Sequence, residues 1–392
     1  MRCKYKYEYF PCYEDTYKNY DYCILHLQPN MDFNEDDMYK IEKLKHIKIN
    51  EKIKNGDFNF DGIFVRDIYF ENMEISKDMS FRGALFEEFH FNSSIVTGNI
   101  DFSDAKITKW VDFTKSKIDG NAIFTSAKLP YKGLFEKFKV KYNVDFENCS
   151  LEGYLALNES NIGGRLNFAS TKMESLNLNS SRIGSLILDH TQLTGNLYAQ
   201  NAAIWGMVVN NSSAKFMNFD ESKITKDVEL YSNSFKEGIS FDKTSFIVPL
   251  SQEKTSRYVK NIWEKLGDRN KADYYFYREM EAKRLQKGKL KRFLEYVFVQ
   301  WAFEYGSNPY KVLGLWLILI LGFSLIYGIL NAVEGIANPL DYIYFSVFAG
   351  TGFDYASYHL KDGFQFLASI EVIFAIFIWG AFLVIFSRKY MR

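Results

Sequence analysis

The stretch Phe102-Ser103-Asp104-Ala105-Lys106-Ile107 recurs in outline as Phe113-Thr114-Lys115-Ser116-Lys117-Ile118, Phe124-Thr125-Ser126-Ala127-Lys128-Leu129 and Phe146-Glu147-Asn148-Cys149-Ser150-Leu151. Each unit has a large apolar residue, a small one three positions on and a second apolar residue two beyond that. The first column extends from Phe81 and Phe91 through Phe135, Leu157, Phe168, Leu178, Leu188, Tyr198, Val209, Phe219 and Leu230 to Phe241, in steps of 10 or 11 residues. The second runs from Phe86 and Val96 to Phe235 and Phe246, five residues behind the first or six at Ile204. Small residues such as Ser160, Thr171, Ser181, Thr191, Ala202, Ser212 and Ser222 precede it by two positions, and glycines (Gly98, Gly120, Gly153, Gly164, Gly195, Gly206) often follow it by two.

A helix would repeat every 3.6 residues and a half-buried sheet would alternate by two. A step of five or six with one large inward residue per step fits a solenoid whose every side is one step long. Four steps make a coil of about 21 residues, so the region makes about nine coils and, at one strand spacing each, a rod on the order of 43 Å. Small residues turn inward where coils crowd, and the glycines are expected to ease corners. Residues 130–143 keep the columns but add Lys132, Lys137, Lys139 and Lys141, expected as a basic rim or protruding loop.

This pattern resembles the pentapeptide-repeat proteins, which form right-handed quadrilateral β-helices. Some members mimic DNA with a strongly acidic face. Residues 57–250 carry 25 acids against 20 bases, an excess too mild and mixed for that role. The whole chain balances 48 basic against 48 acidic residues, so no nucleic-acid partner is expected. No Ser-His-acid or paired-carboxylate constellation stands out, His90 and His190 read as surface or corner residues, and an enzyme is not expected.

The last eighty residues change character. Val312–Val333 carries no charge and would be about 33 Å long as a helix, enough to cross a bilayer. Phe364–Phe386 is apolar with one charge, Glu371, and ends in Ser387-Arg388-Lys389. Between them, Asn338-Pro339-Leu340-Asp341 starts a helix too short to span, followed by Ala349-Gly350-Thr351-Gly352-Phe353-Asp354. Helix, short helix, glycine-rich loop and helix is how a re-entrant pore is built, because loop backbone at membrane depth must line water or protein. The residues Tyr344-Phe345-Ser346-Val347, Thr351, Gly352, Phe353, Asp354 and Glu371 resemble the two-transmembrane pore-loop cation channels of the potassium-channel type. The family filter reads Thr-Val-Gly-Tyr/Phe-Gly-Asp; Thr-Gly-Phe-Asp here omits the valine and the second glycine.

That resemblance implies a homotetramer with Thr351, Gly352 and Phe353 lining the filter for a permeant monovalent cation, potassium or sodium. Asp341 and Asp354 would enrich cations at the pore mouth. Glu371 is expected either to brace the loop and pore helix or to snorkel to the outer interface.

The first 56 residues contain three of the four cysteines, Cys3, Cys12 and Cys23, with His26 three residues after the last. The N-terminus is polar and no secretory signal is read there, so a cytosolic setting is expected, where such residues serve as metal ligands or free thiols. Thiolates and imidazole are zinc's preferred ligands, and a segment too short for its own core gains most from a structural zinc. The other reading is three ordinary thiols near a histidine. Residues 34–54 read as a charged helix or linker.

Residues 251–310 form a helical linker. Tyr258, Ile262 and Leu266, then Ala272, Phe276 and Met280, recur at helical spacing on either side of Gly267-Asp268. This run resembles a linker of pentapeptide-repeat membrane proteins. Lys283, Arg284, Lys287, Lys289, Lys291 and Arg292 precede an aromatic segment, Phe293–Tyr305, that reads as an interfacial helix on an anionic leaflet. Basic residues flank both spans, whereas Glu334, Asp341, Asp354 and Asp362 oppose one Lys361 between them, which places both termini in the cytoplasm.

The expected layout is thus a Cys/His segment (1–56), a β-helix (57–250), a linker (251–310) and a two-transmembrane pore domain (311–392). The expected function is a cell-membrane cation channel regulated through its cytosolic solenoid, which would bind an unidentified protein or ligand. The alternative is a non-conducting membrane-anchored scaffold.

Overall fold

A computed structural model describes residues 1–8, 10–28, 35–352 and 358–390. The chain divides into two compact units, Met1–Asp268 and Arg269–Arg392.

The first unit is a β-solenoid built from four stacks of short parallel rungs. Ile118 pairs with Val96 below and Val140 above, Ala122 with Ile100 and Val144, Leu129 with Leu151, and Leu155 with Gly133 and Leu176. The longest stack has nine rungs. The coil varies between rungs: Ile118 to Val140 spans 22 residues and Met173 to Leu193 spans 20. The added residues are absorbed at register shifts, as between Ile162 and Arg165.

The first column forms two stacks of phenyl rings facing each other across the interior. Phe60, Phe81, Phe102, Phe124, Phe146 and Phe168 lie nearly parallel at 4.8–5.3 Å between centroids. The opposite stack includes Phe113 and Phe135, and the two stacks meet edge to face at 5.4–5.7 Å (Phe102–Phe113, Phe113–Phe124, Phe124–Phe135, Phe135–Phe146). Both arrangements suit the aromatic quadrupole, and each pair adds about 0.5–1.5 kcal/mol to burial. The small residues before the second column are buried. Ser160, Thr171, Ser181, Thr191 and Ser212 each donate their hydroxyl to a carbonyl of the preceding coil at 2.6–2.9 Å. Phe138 occupies one such slot and packs edge-on against Phe113 and Phe135.

One turn follows every first-column residue. In Phe102–Ala105 the Ala105 N–H reaches the Phe102 carbonyl at 3.0 Å, and Asp104, the third residue, is left-handed at φ +57°. The same conformation recurs at Lys115, Ser126, Lys137, Asn148 and eleven further non-glycine residues from Asn72 to Lys243, with glycine at this corner in the first coils, at Gly62 and Gly83. Asp101, Asp112, Asp145, Asn167 and Asn218 brace these turns by accepting the N–H two residues on.

Three expectations need correction. The repeat glycines do not sit at left-handed corners; all but Gly206 allow coils to approach. A Cβ on Gly153 would lie 1.9 Å from the Tyr131 carbonyl oxygen, and one on Gly120 would lie 2.4 Å from that of Gly98. Tyr198 is exposed and Ala199 takes its inward place, because Leu176 pairs with Leu197 and Asn177 with Tyr198. The lysine-rich stretch does not protrude: Lys132–Leu134 and Lys139–Val140 are rungs, and Lys137, Lys139 and Lys141 form an exposed basic rim.

Both solenoid ends are covered. At the N-terminal end lie the Cys/His segment and helix α1 (Glu35–Lys54), whose buried Lys45 donates to the Leu27 carbonyl at 3.0 Å. At the other end, α2 (Pro249–Leu266) starts on proline and stops at left-handed Gly267. It packs on the last coil rather than acting as free linker. The Trp263 indole N–H donates to the Ile239 carbonyl at 3.0 Å, over Gly238, and the Val228 N–H donates to Ser251 Oγ.

The second unit is helical: α3 (Arg269–Leu285), α4 (Lys289–Glu295) running into a wide π turn (Tyr296–Trp301), α5 (Pro309–Leu330), α6 (Leu340–Thr351) and α7 (Gln365–Tyr390). Helices α5 and α7 are long and apolar enough to cross a membrane. Leu290, Phe293, Leu294, Phe298 and Trp301 are exposed before α5. Arg284 is not on a solvated basic face; it is buried with its guanidinium 5.2 Å over the Tyr296 ring.

Phe124→Ala removes one ring from both the stack and the edge-to-face lattice, and should cost about 3–5 kcal/mol. Lys137→Asn, at an exposed left-handed corner that asparagine tolerates, should stay within about 0.5 kcal/mol. Unfolding midpoints of the full chain, followed by the β-sheet circular dichroism signal, check both.

Candidate functional site

Helix α6 starts on a compact turn. The Asp341 carboxylate accepts the N–H groups of Ala337 (2.8 Å) and Asn338 (3.0 Å), so it caps the turn rather than standing free. From there α6 runs antiparallel to α5. Tyr342 donates to Asn331 at 3.2 Å, and the Phe345 ring meets Tyr327 edge-on at 5.1 Å. Ser346 Oγ donates to the Ile320 carbonyl at 2.9 Å. Gly350 is pressed against Ile320, whose Cδ1 would lie 2.7 Å from any Cβ there, with Ala375 of α7 on the other side.

Ile320 sits ten residues inside the end of α5, about 15 Å along its axis, so α6 ends near the middle of that helix. His359–Leu360 pairs antiparallel with Val333–Glu334, just beyond the end of α5. The segment therefore enters and leaves at the same end of the helix pair, having reached its mid-depth.

One carboxylate ties the three helices. Glu371 of α7 is fully buried. Its Oε2 accepts the Tyr327 hydroxyl of α5 at 2.7 Å, and its Oε1 is hydrogen-bonded to Ser346 of α6. The carboxylate points between the helices. A lone acid among apolar helices needs such partners. The role of Tyr327 was not legible in the sequence. The available signal was a polar-tipped residue in an otherwise apolar run, but nothing there shows that its partner lies 44 residues on.

Thr351 is exposed at the last turn of α6, its hydroxyl folded back to the Val347 carbonyl at 2.8 Å, and Gly352 ends the helix in the left-handed region at φ +74°. Phe353 and Asp354 lie outside the described residues.

The structure also gathers Cys3, Cys12, Cys23 and His26, whose donor atoms all lie within 4.8 Å of one another. Cys3, Cys23 and His26 are buried and Cys12 is half-buried. Burial holds the His26 imidazole below its usual range, and so neutral, and pushes the Cys12 and Cys23 thiols up. The fourth cysteine, Cys149, is apart, donating to the Phe124 carbonyl inside the solenoid.

No protein-family model matches this chain, and no curated protein matches it. Among solved structures the chain is similar to a trypsin-treated form of QnrB1, a plasmid-mediated fluoroquinolone resistance protein. The match has 9% identity over 49% of this chain and 97% of that one, with a TM-score of 0.16.

Glu371→Ala should remove the carboxylate that links Tyr327 and Ser346 and destabilise the helical unit by about 1–3 kcal/mol, whereas Glu371→Gln, which keeps an acceptor of the same shape, should retain most of the stability. Thermal unfolding in detergent, read by tryptophan fluorescence from Trp316 and Trp379, distinguishes them.

Proposed function

We propose that this chain is the subunit of a membrane cation channel. The observation that carries the reading is the short helix α6, which enters and returns at one end of two apolar helices and stops at their mid-depth. A segment of that shape is tolerated in a bilayer only where it lines water or is enclosed by protein. The C-terminal end of α6 carries the negative pole of its dipole, so a cation beside Thr351 and Gly352 is stabilised there.

Two spans cannot enclose a pore, and the pore-loop resemblance makes four copies the assembly. The exposed faces of α5 and α7 (Leu317, Ile318, Leu321 and Leu325; Ile373, Phe377 and Val384) would meet lipid or neighbouring subunits. The basic residues before α5 and after α7 put both termini, and with them a right-handed solenoid, in the cytoplasm. The solenoid would then bias the gate through the linker. Asp341 would act at the mouth by its charge, although its hydrogen bonds are committed to the turn. No catalytic role is assigned.

Discrimination between cations grows with the number of carbonyl rings a dehydrated ion crosses. Thr351-Gly352-Phe353 offers fewer than the family's usual run, so potassium and sodium should permeate within about one order of magnitude of each other, with anions excluded. Purified protein in liposomes should conduct, and reversal potentials under asymmetric potassium and sodium measure the ratio. Strong potassium preference overturns the reading of the short filter. A chloride current overturns the cation assignment, and the absence of any flux overturns the channel itself.

A further inference from the structure

We propose that Cys3, Cys12, Cys23 and His26 bind one zinc ion, and that the ion holds the N-terminal segment as a cap on the first coil of the solenoid. A tetrahedral site with Zn–S about 2.3 Å and Zn–N about 2.0 Å sets its ligand atoms about 3.5–3.8 Å apart. Cys3 Sγ is 3.4 Å from His26 Nδ1, Cys23 Sγ is 3.1 Å from it, and Cys12 Sγ is 4.0 Å from Cys23 Sγ. Three thiols and an imidazole are a donor set that selects a soft or borderline ion over magnesium or calcium.

The surroundings are arranged as they are around a metal ligand. His26 Nε2 lies 2.8 Å from the Asp61 carbonyl, which can only accept, so the ring proton sits on Nε2 and the Nδ1 lone pair faces the sulfurs. Tyr5 stacks on the imidazole at 4.0 Å and 16°, fixing its plane. The Cys23 N–H donates to Cys3 Sγ at 3.2 Å, which fixes the position of that sulfur beside the imidazole. A cleft lined by Cys12, Cys23, His26, Lys52, Asp57 and Asp61 gives the ion a way in.

The segment has little else to fold it. Before α1, the regular structure among its described residues amounts to the two-residue strands Lys6–Tyr7 and Phe10–Pro11 and one short turn, Ile24–His26. It meets the solenoid through His26 on Asp61, through Tyr5 at Gly62, where a Cβ would lie 1.7 Å from the ring, and through the Tyr7 hydroxyl on Asp104 at 2.6 Å. A solenoid needs its terminal coil covered, and the ion supplies the cross-link that a segment this small lacks.

Full-length protein purified in detergent without added metal should carry about one zinc per chain by elemental analysis, and His26→Ala with Cys23→Ser should carry under about 0.1. His26→Cys, which keeps four ligands, should retain the metal. On the wild-type protein, cobalt exchange should give the visible absorption bands of a tetrahedral thiolate site. Chelation should raise the thiols open to a disulfide reagent by three per chain and lower the melting midpoint. Zinc at wild-type level in the double variant overturns the assignment. So does wild-type protein with no zinc and no cobalt bands, or with a Cys12–Cys23 disulfide by mass spectrometry without reduction.

Discussion

A solenoid coil cannot bury its own apolar side. Each coil of this protein is completed only by the coil above and the coil below, so the structure depends on keeping a 20–22-residue register from Phe64 to Phe246. The phenyl stacks make that register costly to break. A slip by one residue would move Phe124 out of contact with Phe102 and Phe146 in its own stack and with Phe113 and Phe135 opposite. The hydroxyls of Ser160, Thr171, Ser181, Thr191 and Ser212 add a second lock, since each reaches a carbonyl of the preceding coil. Asparagines do the same outside: Asn121 donates twice to Asn99 Oδ1, and Asn143 donates twice to Asn121.

Such a rod is open at both ends, and the chain covers each end differently. The C-terminal end is covered by an ordinary amphipathic helix, α2, anchored by Trp263. The N-terminal end is covered by a loop-rich segment that has almost no core of its own and gathers its chemistry at four donor atoms. Helix α2 docks through the buried Val259 and Trp263 and needs no cross-link, unlike a loop-rich cap.

In the helical unit the equivalent constraint is one buried carboxylate. Glu371 reaches both α5 and α6, so the position and tilt of the short helix are tied to two long helices at once. Gly350 permits that closeness, because a methyl group there would collide with Ile320. A hydrogen-bonded acid between apolar helices has few alternative partners, and this fixes one packing where Leu and Phe contacts alone would allow several.

The sequence by itself determined the elements: the two columns and their period, the inward small residues, the break at Gly267, the two apolar runs with a short helix between them, and the cysteines with His26. These follow from local spacing, which a chain carries whether or not it is folded. It could not decide what depends on coil length summed over many turns. Whether Tyr198 or Ala199 faces inward turns on the register of the rung beneath it. That the glycines relieve contacts between coils and not backbone angles shows only when Gly120 lies over Gly98. The union of Cys3, Cys12, Cys23 and His26, and of Tyr327, Ser346 and Glu371, was likewise set by tertiary structure. Cys23 and His26 are close neighbours, but Cys3 lies 20 residues before Cys23, and Tyr327, Ser346 and Glu371 span 44 residues; only close packing converts such separations into hydrogen-bond and ligand distances.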